Sequence, residues 1–323
     1  MTEAARSAPW VGLRDVAVRD LAWLLASADL LTDSAAAPLA RPWQGDAEAA
    51  RVLAWLAALD AEPAPLRQAV EAAQPTRLGR YAETLLAFFA AHGPAWTLVA
   101  ANLPVRVSGR TLGECDFLLV APDGERLHWE LAVKCYLCAA TVGEAALRDY
   151  VGPNLADRFD LKFRRLVEHQ LPLSAREEFA FAGQPGPWAA RMFVKGWLFY
   201  RDDGVALDGS APASPAELDA AHPRGFWATR GDWPALAARE PVATRWVVLP
   251  RLAWLAPRRL EAGDPLAPVE ASALFDAVAA RAAPSLVAAL VPGEHGVWHE
   301  TRRGFIVDDD WPQRAGAFAQ VAR

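Results

Sequence analysis

The 323-residue chain is 53% hydrophobic and 22% charged, with a formal net charge of -6; this is apolar material for one large or two ordinary globular domains, and it excludes a disordered chain or a coiled coil. The slight acidity also excludes the diffuse positive field of a protein that coats nucleic acid unselectively, so any nucleic-acid contact has to come from a local patch. Cys115, Cys135 and Cys138 are too few for a disulfide framework, and charges interrupt every long apolar run, so the expected setting is the cytoplasm with no membrane association.

Residues 10–74 are rich in Ala, Leu and Trp, with apolar groups such as Trp23-Leu24 and Val52-Leu53, Trp55-Leu56 and Leu59 at helical intervals and prolines at 38, 42, 63, 65 and 75 between them. They predict an N-terminal helical segment over 1–75. After Pro75, Thr76 is a candidate N-cap for RLGRYAETLLAFFAAH, whose Leu78, Tyr81, Ala82, Leu85, Leu86 and Phe89 follow the helical period up to Gly93-Pro94. Three strand-like runs come next, WTLVAANLPVRV, ECDFLLV and RLHWELAVKCYL, with turns marked by Gly109 and Asp123-Gly124. NLADRFDLKFRRLVEHQ (154–170) has helical spacing, and MFVKGWLFY (192–200) reads as a strand. The expected fold class is therefore α/β (α+β), with an αβββαβ core over 76–200. A mixed C-terminal extension over 201–323 carries strand candidates at 245–256 and 297–307.

Strand alternation puts Glu114, Asp116, Leu118 and Val120 on one face of the second strand. On the third it groups His128, Glu130, Ala132, Lys134 and Tyr136, opposite the apolar Trp129, Leu131, Val133 and Cys135. Charges set into an apolar hairpin are costly unless paired, metal-bound or solvated at a cleft. That cost is the first pointer to a site. On the preceding helix, Glu83 stands between the small Gly79 and Ala87, and Arg80 is placed one turn earlier to orient it or to reach a phosphate.

The strings RYAETLL (80–86), GECDFLL (113–119) and HWELAVK (128–134) resemble the PD-(D/E)XK nuclease superfamily. With VGPNLADRFDLKFRRLVEHQLPLS (151–174) they resemble more closely the domain of unknown function 1853 family, a bacterial family usually grouped with those nucleases. The resemblance implies a restriction-endonuclease-like core, Mg²⁺ or Mn²⁺ as cofactor and nucleic acid, DNA above all, as substrate. By position it makes Asp116 the principal metal ligand, Glu130 the second, Glu83 an auxiliary one and Lys134 the catalytic lysine. Lys162 or Gln170 would lend the polar group that the following helix often supplies, and Arg158 with its basic neighbours would hold the phosphate backbone.

One slot departs from the pattern. The carboxylate expected two residues before the lysine is Ala132, and Glu130 lies four before it, roughly 13 Å along a straight strand rather than roughly 7 Å. Either the carboxylate has moved by one pleat, or the chain is a catalytically silent member that binds nucleic acid or a protein partner. The same four charged residues could also form an internal salt-bridge network. Elsewhere, Cys135 and Cys138 read as buried thiols and His295, His299 and Glu300 as a polar loop or hairpin. Trp246 and Trp254 read as packing, with base stacking as the minor reading, and the pairs Arg258-Arg259 and Arg302-Arg303 as solvated surface.

Overall fold

The computed structural model describes residues 8–107, 110–140, 143–184, 186–202 and 212–321, so the turn expected at Gly109 lies outside the described residues. Among the described residues, eight α-helices and ten strands in mixed parallel and antiparallel ladders make this a mixed α/β chain. It divides into two compact units, Thr2–Lys134 with Lys162–Lys195 and Cys135–Leu161 with Gly196–Arg323. These limits fall inside elements rather than at residues 75 and 200.

The first unit begins with α1 (Val16–Ala26), α2 (Gly45–Ala61) and α3 (Ala64–Ala73), the helices that the N-terminal pattern predicts. Asp15 caps α1 by accepting from Val18 N at 3.0 Å, which satisfies one of the orphan amides of the first turn. α4 (Leu78–His92) buries Leu78, Tyr81, Ala82, Leu85, Leu86 and Phe89 and ends at Gly93. Its N-cap is Arg77, without a side-chain cap bond, not Thr76. The helical segment belongs with the strands because polar groups tie it to them: Tyr81 Oη donates to Asp20 Oδ2 at 3.0 Å, Trp96 Nε1 to Pro42 O at 2.8 Å and Leu30 N to Val194 O at 2.9 Å.

β1 (Thr97–Val107), β2 (Arg110–Val120) and β3 (Arg126–Cys138) form the expected antiparallel meander, with Ala101 opposite Phe117 and Phe117 opposite Trp129. Residues 154–170 differ from expectation. α5 covers only Phe159–Arg165 and runs into a π-helical turn, Leu166–Gln170, and then a 3₁₀ segment, Leu171–Ala175. The helix starts late because Leu155 takes a left-handed φ of 54° in a turn where its amide donates to Gly152 O at 2.8 Å. The π turn takes over at Leu166, and Pro172 stands in the first turn of the 3₁₀ segment, where its missing N–H leaves no bond unmade.

In the second unit, β5 (Ala189–Arg201), which begins in the first, pairs in parallel with β6 (Arg224–Thr229), and β6 with β10 (Trp298–Val307). β9 (Ser285–Pro292) runs antiparallel to β10, and β7 (Arg245–Val248) antiparallel to β9. The short β4 (Tyr150–Val151) and β8 (Arg259–Leu260) pair with β3 and β10. Pro250 stops the expected long strand at 245–256, so that Arg251–Ala253 is a 3₁₀ turn.

α6 (Trp233–Ala238), α7 (Ala271–Ala279) and α8 (Trp311–Ala319) complete this unit. Trp246 is fully buried edge-on to Trp233 at 4.6 Å, which leaves no face for a base. Arg258 and Arg303, expected on the surface, are buried with the carboxylate of Glu300. Planar guanidinium forks can saturate backbone carbonyls and a carboxylate together, and this makes such burial affordable.

Candidate functional site

The candidate site lies in the first unit, where β2 and β3 stop pairing. The last register pair is Phe117 with Trp129; two residues on, Leu131 N donates 2.8 Å to Asp116 Oδ2. A side-chain carboxylate thus takes an amide of β3 at the point where the ladder ends. Cys115 and Leu118, which strict alternation puts on opposite faces, both belong to one buried apolar cluster.

Glu130 is fully buried on β3. Its Oε1 lies 2.7 Å from His128 Nε2, and its Oε2 accepts from Gln170 Nε2 at 2.5 Å. His128 Nδ1 meets Ser174 Oγ at 3.0 Å, and Gln170 Oε1 accepts from Lys162 Nζ at 2.9 Å. The π-helical turn brings this about. Its i→i+5 bonding winds fewer degrees per residue than an α-helix, which returns Gln170 to the side of the helix that carries Lys162. The chain Ser174, His128, Glu130, Gln170, Lys162 therefore joins β3 to the segment 162–174.

The electrostatics tie the remaining residues to this network. Burial, then the negative charge of Glu130, pushes the Asp116 carboxyl up to about 8; the Leu131 amide and Lys162 act against them and Glu83 with them. Burial and the neighbouring Lys134 ammonium lower the pKa of Lys162, opposed by Asp116 and Glu130. The Cys115 thiol is pushed up to about 12, by burial first and then by Glu130 and Asp116. Glu83 stands at the edge. Arg80 Nη1 holds its Oε2 at 2.6 Å and also donates to Asn102 Oδ1 at 3.1 Å, where Asn102 interrupts β1 with a φ of 51°. These three line a groove of about 720 Å³ with Gln74, Phe88 and His92.

Of the residues expected from the sequence, Asp116, Glu130, Lys162 and Gln170 come together, with Lys134, Glu83 and Arg80 within the same field. Arg158 does not serve as expected. Its guanidinium is buried, pairs with Asp160 at 2.8 Å and donates to the carbonyls of Phe318, Ala319 and Val321, closing the C-terminal end of α8. A phosphate contact is excluded by saturation of that fork. His128, Ser174 and Cys115 were not singled out. His128 was legible two residues before Glu130 on the same strand face, whereas Ser174 lies 46 residues away and carries no local pattern.

The donor set fits a hard divalent cation. Two adjacent carboxylates, Glu130 fully and Asp116 partly buried, crowd one sign of charge; burial and then Glu130 hold Asp116 protonated up to about pH 8, Lys162 offsets only part of this, and such a cation supplies the rest through oxygen ligands. Among the described residues a second grouping of potential ligands overlaps it, Cys115, His128 and Glu130, with donor atoms within 4.8 Å of one another.

A family model described as "Domain of unknown function (DUF1853)" matches residues 19–307. The chain belongs to the DUF1853 family. No curated protein and no solved structure matches it. The DUF1853 match spans both units, and the carboxylate network lies wholly within its bounds.

Proposed function

We infer that this DUF1853 chain is a metal-dependent nuclease that hydrolyses phosphodiester bonds in DNA, built on a restriction-endonuclease-like core. The observation that carries the reading is the pair of the fully buried Glu130 and the partly buried Asp116 on adjacent strands, with the ammonium group of Lys162 in its field and that of Lys134 beside Lys162. The order α4, β1, β2, β3, α5, β5 supports it, being the αβββαβ order of that core with β4 added.

Asp116 and Glu130 would hold Mg²⁺ or Mn²⁺, with Glu83 as the outer ligand. When bound, the cation supplies Lewis acidity to a phosphoryl oxygen and acidity to a water. The chain's own groups do the rest. His128 and Gln170 fix both oxygens of Glu130, and the Leu131 amide fixes Asp116. Lys134 and Lys162 offer positive charge to an anionic phosphate, while Arg80 presents Glu83 and stands mostly exposed for a second phosphate contact. Ala132 in the usual carboxylate slot leaves Glu130 as the second acid, drawn toward the site by the parting of β2 from β3.

The second reading is a silent nuclease fold that binds nucleic acid or protein. It is favoured by the two hydrogen bonds that already satisfy Glu130 and by the Arg80 pair on Glu83. Cleavage of single-stranded, double-stranded and branched DNA and RNA with Mg²⁺ or Mn²⁺ decides between them. Asp116→Ala and Lys134→Ala are each expected to slow cleavage by about 100-fold or more, equivalent to several kcal/mol of lost transition-state stabilisation. Wild type that cuts nothing, yet binds DNA equally with and without metal, establishes the silent reading.

A further inference from the structure

The grouping of Cys115, His128 and Glu130 has a chemistry that the nuclease reading does not use. We propose that these three residues form a second metal position, selective for a borderline divalent cation of the zinc or cobalt type and sharing only Glu130 with the hard-cation site. The donors are one sulfur, one nitrogen and one oxygen, all within 4.8 Å of one another and all buried. A hard cation has no use for a thiol, whereas Zn²⁺ and Co²⁺ take thiolate, imidazole and carboxylate together.

Three features support the assignment. Among the described residues the Cys115 thiol has no hydrogen-bond partner, although it is wholly buried and lies beside two strong polar groups. That same thiol shares a buried apolar cluster with Val105, Leu118 and Leu173, a dry wall for the position. Ser174 Oγ lies 3.0 Å from His128 Nδ1, the arrangement that sets the ring so that Nε2 faces a ligand position. The third feature is charge. A divalent cation, one thiolate, one carboxylate and one neutral imidazole sum to zero, the value that costs least in a fully buried place.

Binding balances as follows. The Cys115 thiol gives its proton to solvent and its sulfur electron pair to the cation. The imidazole binds in its neutral form with its proton on Nδ1, where Ser174 Oγ accepts it, and with Nε2 free for the cation; a proton on Nε2 beforehand leaves that atom as Nδ1 takes one up. Nε2 and Oε1, now 2.7 Å apart, open slightly to admit the ion. Three protein ligands leave a fourth coordination position open.

The test is titration of the metal-stripped full-length chain with Co²⁺, followed by visible and near-ultraviolet absorption, in parallel for wild type, Cys115→Ser, His128→Ala and the control Cys135→Ser/Cys138→Ser. One equivalent is expected to give ligand-field bands of low-symmetry four-coordinate cobalt and a thiolate-to-cobalt charge-transfer band that excess Mg²⁺ does not remove. Cys115→Ser should lose the charge-transfer band while keeping the wild-type circular dichroism spectrum, His128→Ala should weaken binding by about tenfold or more, and the control should match wild type. Absence of the charge-transfer band in wild type, its persistence in Cys115→Ser, or its loss with Mg²⁺ overturns the proposal. Because the readout is spectroscopic, its failure is separate from failure to cleave DNA.

Discussion

Two carboxylates buried in different units, Glu130 and Glu300, solve the same physical problem in opposite ways. Glu300 meets a full positive charge: Arg303 donates to both its oxygens, from Nε at 2.5 Å and Nη2 at 2.8 Å, and the Arg258 amide adds a third bond at 2.6 Å. The remaining donors of Arg303 end on the carbonyls of Trp254, Leu255 and Ala256. The charge of Arg303 meets that of Glu300 and its remaining donors meet carbonyls, so the pair is a closed structural joint. Glu130 instead meets an imidazole and a primary amide, and its neighbour of consequence is a second acid, Asp116. The lesson is that burial of a charge does not mark a site; an excess of one sign does.

The largest effect expected from breaking this contrast is at the matched pair. Arg303→Met leaves Glu300 buried without its counter-charge and should cost about 3–5 kcal/mol of unfolding free energy, measured by urea denaturation, while a cost below about 1 kcal/mol would remove the distinction drawn here. Asp116→Asn should act in the reverse direction. The Asp116 carboxyl is raised from 3.8 to about 8 in the fold, so the folded state favours its protonated form and loses that advantage as pH rises through this window. In chelator, the Asn variant should melt several degrees above wild type at pH 8 and level with it near pH 4; equal melting at both would mean that Asp116 is compensated by charge within the chain. Arg80→Ala should have the smallest effect. The pair with Glu83 is exposed on its arginine side, and its removal should cost less than about 0.5 kcal/mol in thermal melts.

The sequence carried the site's outline because its residues sit on elements with strong periodicity. α4 and the three strands of the meander are readable from apolar spacing, and Glu83, Asp116, Glu130 and Lys134 follow from their order along them. The supporting residues were harder. Cys115 comes close to His128 and Glu130 although alternation puts it on the face opposite to Asp116, and Ser174 reaches His128 from a 3₁₀ segment, so neither position has a local signature. Arg158 was misread for the converse reason. A basic residue in a run of charges looks solvated, and only the tertiary arrangement reveals that the end of α8 takes all its donors. The two units are equally hidden, since their limits cut through β3 and β5, where the hydrophobic pattern is continuous.

The π-helical turn at Leu166–Gln170 has a consequence for how this site can change. A π turn is an α turn with one residue too many. Deleting a single residue from that turn would restore ordinary winding and leave later side chains near their present azimuth, whereas deleting one from α5 would swing them by roughly 100° about the axis, carrying the amide at 170 away from Glu130 and the hydroxyl at 174 away from His128. Point substitutions can only weaken these contacts one at a time. For this half of the network, gain and loss are therefore steps of chain length, and variants should be compared first by insertions and deletions between α5 and Ser174.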